Sequence, residues 1–168
     1  MEKKTTIIIN GPSGVGKDAL IAAASQKLSI LNVSSIDRVK EIATFAGWDG
    51  VKDEKGRQLL IDFKAALVKY GDMPTKYMVD AYKEFLRTMH RFMFVHIREP
   101  QEIQKLVTAL KREGAFCKTM LISAEWAKKT GLKNDADVFN YRYDYHFKND
   151  KPLEQSGSEF VKLIETIS

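Results

Sequence analysis

The sequence predicts an α/β fold in three layers, a five-stranded parallel sheet covered by helices on both faces. Three observations carry this. Short apolar runs alternate with amphipathic stretches along the 168 residues. The first run leads straight into Gly11-Pro12-Ser13-Gly14-Val15-Gly16-Lys17, a glycine-rich junction before an alanine-rich helical stretch. The interval between the second and third runs holds only helical patterns, so a helical insert is expected there.

Strands are expected over residues 6–10, 29–33, 92–97, 117–122 and 143–147. Most are continuously apolar, as strands buried on both faces should be. The last alternates more and is expected at an edge. Helices are expected over 18–27, 35–46, 55–70, 75–91, 100–113, 124–130 and 157–167. Two apolar stripes mark the insert, Leu59, Phe63, Ala66 and Tyr70, then Met78, Tyr82, Phe85 and Met89. Their helical spacing assigns both to core rather than to a binding surface. Strand–helix alternation with right-handed crossovers lines up the strand ends along one edge. Ligands bind there, at the carboxyl ends. No repeat and no linker divides the chain, so residues 1–168 are expected to form one domain, with 35–91 as its insert.

Composition bounds the rest. Hydrophobic residues make up 44% of the chain, enough for a packed core, and no low-complexity tract occurs. No apolar run approaches membrane-spanning length. The start, Met1-Glu2-Lys3-Lys4, lacks signal-peptide architecture, and the one cysteine, Cys117, cannot form an internal disulfide. A cytoplasmic location is the expectation. Cys117 lies in an apolar stretch and reads as a small core residue. Asn32-Val33-Ser34 matches a glycosylation acceptor, which carries no weight without an export signal. The net charge of +5 favours anionic ligands. The basic residues are scattered among 22 acidic ones with no aromatic–basic platform, which argues against nucleic acid as a partner.

The chemistry starts at the loop. Gly-x-x-x-x-Gly-Lys between strand and helix binds phosphate, because glycines let main-chain N–H groups wrap an anion. The following helix adds its positive end. Gly11, Pro12, Ser13, Gly14, Val15, Gly16, Lys17 and Asp18 are therefore the candidate nucleotide-binding residues, with Lys17 reaching the β- and γ-phosphates. The residue after this lysine is usually Ser or Thr, a magnesium ligand. Here it is Asp18, a hard oxygen donor that can hold Mg²⁺ directly or through water, or simply favour the first helical turn.

Other candidates follow later strands. Asp37, after the second strand, can orient or deprotonate an acceptor, or cap a helix with Ser34 and Ser35. The third strand ends His96-Ile97-Arg98-Glu99-Pro100. Arg98 can fork onto an acceptor phosphate, and Glu99 stands just past the strand, where a carboxylate usually positions the metal. His96 reads as a strand-end core histidine, and Pro100 suits a first helical turn. In the polar segment 48–57, Arg57 is a candidate phosphate or base contact, and Trp48 either anchors the segment, the favoured reading, or stacks on a base. The stretch 128–135 could form a cationic lid, with lysines in place of the usual arginines and Arg142 following later.

Together the segments GPSGVGKD, WDGVKDEKGRQLL, HIREPQEI and YDYHFKND resemble phosphate-loop nucleotide kinases, phage-type deoxynucleoside monophosphate kinases in particular. The resemblance implies a P-loop NTPase fold, ATP on Lys17 and the loop amides, Mg²⁺ as a requirement, and Arg57 and Arg98 at the site of a nucleotide acceptor under the insert. His96 stands where that family has an aspartate, and the lysine-only stretch lacks its arginines.

The leading function is thus phosphoryl transfer from ATP to a small acceptor, a nucleoside monophosphate first, with Lys17, Asp37 and Arg98 as catalytic candidates. Asp37, Arg57 and Arg98 would bind the substrate, and Asp18 and Glu99 the metal. Alternatives are a non-catalytic nucleotide-binding protein and a kinase for a non-nucleotide metabolite. A GTPase switch fits poorly: Asp53-Glu54-Lys55-Gly56 follows no strand, and no Asn-Lys-x-Asp motif occurs.

Overall fold

A computed structural model describes residues 3–129 and 137–167. Five parallel strands form one sheet in the order β2-β3-β1-β4-β5. They are β1 (Thr5–Asn10), β2 (Ile30–Ser34), β3 (Phe92–His96), β4 (Cys117–Ser123) and β5 (Tyr145–Lys148). The helices are α1 (Lys17–Ser25), α2 (Asp37–Phe45), α3 (Glu54–Gly71), α4 (Met73–Arg87), α5 (Pro100–Arg112) and α6 (Leu153–Ile167). The insert between β2 and β3 is therefore α2, α3 and α4.

Central β1 is buried along its whole length, which explains its unbroken apolar run. Alternate side chains feed two layers. Ile7 and Ile9 join Leu20 and Ile21 of α1 and Phe160 and Ile164 of α6. Ile8 points the other way, to Phe85 of α4 and Leu106 and Leu110 of α5. Strand β5 lies at an edge, and its burial alternates as the sequence suggested.

The connection after β1 runs to β2 on one side, and that after β3 runs to β4 on the other. The carboxyl ends of β1 and β3 therefore flank the switch point where such sheets bind ligands. The glycine loop leaves β1 there, and Arg98 follows β3 there.

Several boundaries shift for local reasons. The last strand starts at Tyr145 rather than 143, because the Asp144 carboxylate accepts from the N–H and hydroxyl of Thr119 (2.8 and 2.9 Å) just ahead of the ladder. Residues 125–129 form a 3₁₀ turn instead of an α-helix. The last helix begins four residues early, behind Pro152. Helix α4 stops at Arg87, where Thr88 is extended and its hydroxyl donates to the Phe85 carbonyl (2.8 Å), so Met89 leaves the expected stripe and is exposed. The α3 stripe is also not core throughout. Tyr70 is 85% exposed, because α3 packs along one side only. Leu60, with Leu59 and Phe63 partly buried beside it, meets Val39 and Ala43 of α2 in a cluster separate from the two main layers. Among the described residues no helix is long and apolar enough to cross a membrane.

Candidate functional site

The loop's shape follows from two glycines. Gly11 passes so close to β4 that a Cβ would sit 2.3 Å from the Ile122 carbonyl oxygen. Gly16 starts α1 at φ 83°, a left-handed conformation, and a Cβ there would meet the Asn149 amide nitrogen at 2.7 Å. Among the described residues no side chain caps α1, which suits its first N–H groups to an anion. A cavity of about 390 Å³ lies over this end, lined by residues 13–19 and Arg98. The Lys17 ammonium donates to the carbonyls of Gly11 (2.6 Å) and Pro12 (2.9 Å), which folds it back across the loop.

Five hydrogen bonds fix the surroundings, four of them buried or half-buried. Asn149, after β5, donates to the Val15 carbonyl (2.7 Å) and so ties the loop to the far strand. Asn10, the last residue of β1, accepts from the Gly11 N–H (2.8 Å) and donates to the Arg98 carbonyl (2.9 Å) and the Tyr143 hydroxyl (2.8 Å). The Arg98 guanidinium donates to the Ser13 hydroxyl (3.0 Å), closing the switch point from the β3 side.

Other expected residues gather more loosely. His96, at the end of β3, donates from Nε2 to the Asn32 side-chain oxygen (2.8 Å). Burial holds its pKa below the usual histidine value. Asp18 and Asp37 pull the other way, and Lys17 and Lys40 reinforce the burial. The ring thus lies within electrostatic reach of both candidate carboxylates and the loop lysine. The Asp37 carboxylate accepts from the Ser34 N–H (2.7 Å) and faces Lys40 at 3.8 Å, so it closes the β2–α2 turn while staying half exposed.

Glu99 stands at the N-cap of α5, 2.7 Å from Lys64 of α3. A carboxylate compensated by an ammonium is a weak metal ligand, and the pair instead fastens α3 to the β3–α5 corner. Asp18, exposed in the first turn of α1 beside Lys17, fits Mg²⁺ better, since that ion usually takes one or two carboxylates plus phosphate oxygens and waters. Among the described residues no group of three or more His, Cys, Asp or Glu is placed to hold a metal ion without such help.

Arg57 is exposed in the first turns of α3. Among the described residues no hydrogen bond or ion pair joins its side chain to the loop. It stands two helical turns from Lys64, on the same face. The motif around it is structural. Asp53 caps α3 through the Gly56 N–H (2.8 Å), Trp48 donates to the Val51 carbonyl (3.1 Å), and a Cβ on Gly56 would fall 2.1 Å from that same oxygen. Most of the expected lysine stretch, residues 130–135, lies outside the described residues. Burial pushes the Cys117 thiol up to about 12, so it is no nucleophile.

Sequence reasoning gave no role to Asn10 or Lys64, nor to Tyr143 and Asn149, although these two lie in the segment YDYHFKND. A polar residue closing an apolar strand immediately before the loop was the available signal for Asn10. The other three become partners only through the fold.

The fold is that of the P-loop kinases. It matches the tunicamycin resistance protein of Deinococcus radiodurans (TM-score 0.63, 15% identity, 96% of each chain). It also matches dephospho-CoA kinase from Campylobacter jejuni (0.53, 16%, 97% of this chain and 96% of that one) and shikimate kinase from Aquifex aeolicus (0.50, 14%, 95% and 96%). No protein-family model and no curated protein matches the chain. At such identities the likeness is one of fold.

Proposed function

We propose that the protein is a kinase that moves the γ-phosphoryl group of ATP to a small acceptor, with a nucleoside monophosphate as the first acceptor to test. One observation carries this: the cavity that holds the loop amides and Lys17 is closed on its other side by Arg98, at the sheet's switch point. The triphosphate would lie on the loop, and Lys17 would exchange two neutral carbonyls for charged phosphate oxygens, which form stronger hydrogen bonds. Asp18 would hold Mg²⁺. That ion, when bound, neutralises charge on the β- and γ-oxygens. Arg98 and Arg57 would orient the acceptor, with Asp37 accepting or steering its reacting proton. In this chemistry positioning and electrostatics supply nearly all the rate.

The kinase neighbours are named for unlike acceptors, dephospho-CoA and shikimate, so the fold leaves the acceptor open. A nucleotide monophosphate is supported by the loop and insert motifs. A second reading, nucleotide binding without transfer, is favoured by the neutral His96 at the end of β3 and by the Lys64 partner of Glu99. ATP consumption screened against nucleoside monophosphates and small hydroxylated metabolites separates the two. Acceptor-dependent ADP, lost in Lys17→Ala, is the expected result. ATP binding without ADP from any acceptor would favour the second reading.

A further inference from the structure

The geometry points to Asn10 as a positioning residue that sets the donor loop and the acceptor arginine in register, with Tyr143 as its clamp. This rests on the kinase reading above. Asn10 is 1% exposed, and both ends of its amide are used. The oxygen takes the Gly11 N–H, the first amide of the loop. The nitrogen gives one hydrogen to the Arg98 carbonyl and the other to the Tyr143 hydroxyl. That hydroxyl, itself buried, donates onward to the Val138 carbonyl (2.7 Å). Burial pushes the Tyr143 phenol up to about 12, against the lowering effect of the Asn10 hydrogen bond, so it keeps its proton.

A fully satisfied buried amide is rigid, and each of its partners belongs to a different segment. Gly11 leaves β1 and Arg98 follows β3. These are the two strands whose connections diverge at the switch point. The Gly11 N–H points into Asn10, so the phosphate-facing amides further along do not depend on it. Truncating Asn10 frees the Arg98 peptide and takes the acceptor from the Gly11 N–H, while Asn149 still holds the loop further along at the Val15 carbonyl. A displacement of about 1 Å at a reacting group can cost about a hundredfold in rate.

A double-mutant cycle tests this, using Asn10→Ala, Arg98→Ala and the pair, with acceptor turnover and ATP affinity measured separately. Asn10→Ala should lower kcat/KM for the acceptor by roughly tenfold to a hundredfold, and ATP Kd should move less than about threefold. The double variant should be no worse than Arg98→Ala alone. Additive losses, or ATP affinity and turnover falling together, would overturn the inference. Tyr143→Phe, which keeps the ring and its packing, serves if Asn10→Ala fails to fold, and should show the same non-additivity in milder form. The ¹⁵Nε–H signal of Arg98 is read in the wild type, Asn10→Ala and Tyr143→Phe. Its shift or broadening in Tyr143→Phe is expected, and an unchanged signal would refute the positioning role. If the wild-type protein transfers no phosphate, the kinase reading fails, while this signal still decides whether Asn10 holds Arg98.

Discussion

Lys17 illustrates how one side chain carries a testable consequence. Its ammonium donates to the Gly11 and Pro12 carbonyls within its own loop, and removing it should leave the fold intact. Lys17→Ala should weaken ATP binding by roughly tenfold to a hundredfold, the worth of one charge-assisted hydrogen bond, with an unchanged melting temperature. His96 predicts a pH effect. Its folded pKa lies below the unfolded value of about 6.5, so the unfolded chain takes up the proton first as pH falls. The stability contributed by the neutral ring is present above that pH and is lost as pH drops toward the folded pKa. Melts from pH 8 to 5 should show a steeper decline for the wild type than for His96→Gln. The loop residues were legible because their chemistry is local, within seven consecutive positions. Asn10 and Asn149 were not, because their partners lie 88 and 134 residues away.

At the scale of elements, the insert is the informative part. Helix α3 buries only Gly56 and Leu60 fully, and its link to the β3–α5 corner is the Lys64–Glu99 pair. Its amides should exchange with solvent faster than those of α5, which buries four apolar residues. Glu99→Gln should widen that difference at a cost of about 1 kcal/mol or less, since Glu99 is half exposed. Gly56→Ala should cost about 1–3 kcal/mol, because its new carbon meets a main-chain oxygen at 2.1 Å. Periodicity located every long helix, yet it misjudged which α3 positions are buried. An amphipathic stripe records that a helix has an inner face, and not how much of that face its neighbours cover. Helix α2 is only nine residues and leaves the far end of α3 uncovered.

The whole molecule joins these parts through the sheet. Apolar runs alternating with helical stretches were enough to predict a five-stranded parallel sheet and the edge where the phosphate loop lies, whereas the strand order β2-β3-β1-β4-β5 was not legible in them. The stack of Phe94 on Phe160, with ring centroids 6.1 Å apart, binds β3 to α6 across one layer, and both rings are fully buried. Phe160→Ala should cost about 3–5 kcal/mol in chemical denaturation while leaving the loop's chemistry unchanged in the fraction that folds. Binding heat should then follow the folded population. Titration of ATP with Mg²⁺ into the wild-type protein and into Lys17→Ala, followed by calorimetry, decides whether the loop grips a triphosphate. Saturable heat in the wild type, reduced tenfold or more in affinity by the substitution, is predicted. No heat in the wild type, or equal affinity in both, would contradict it.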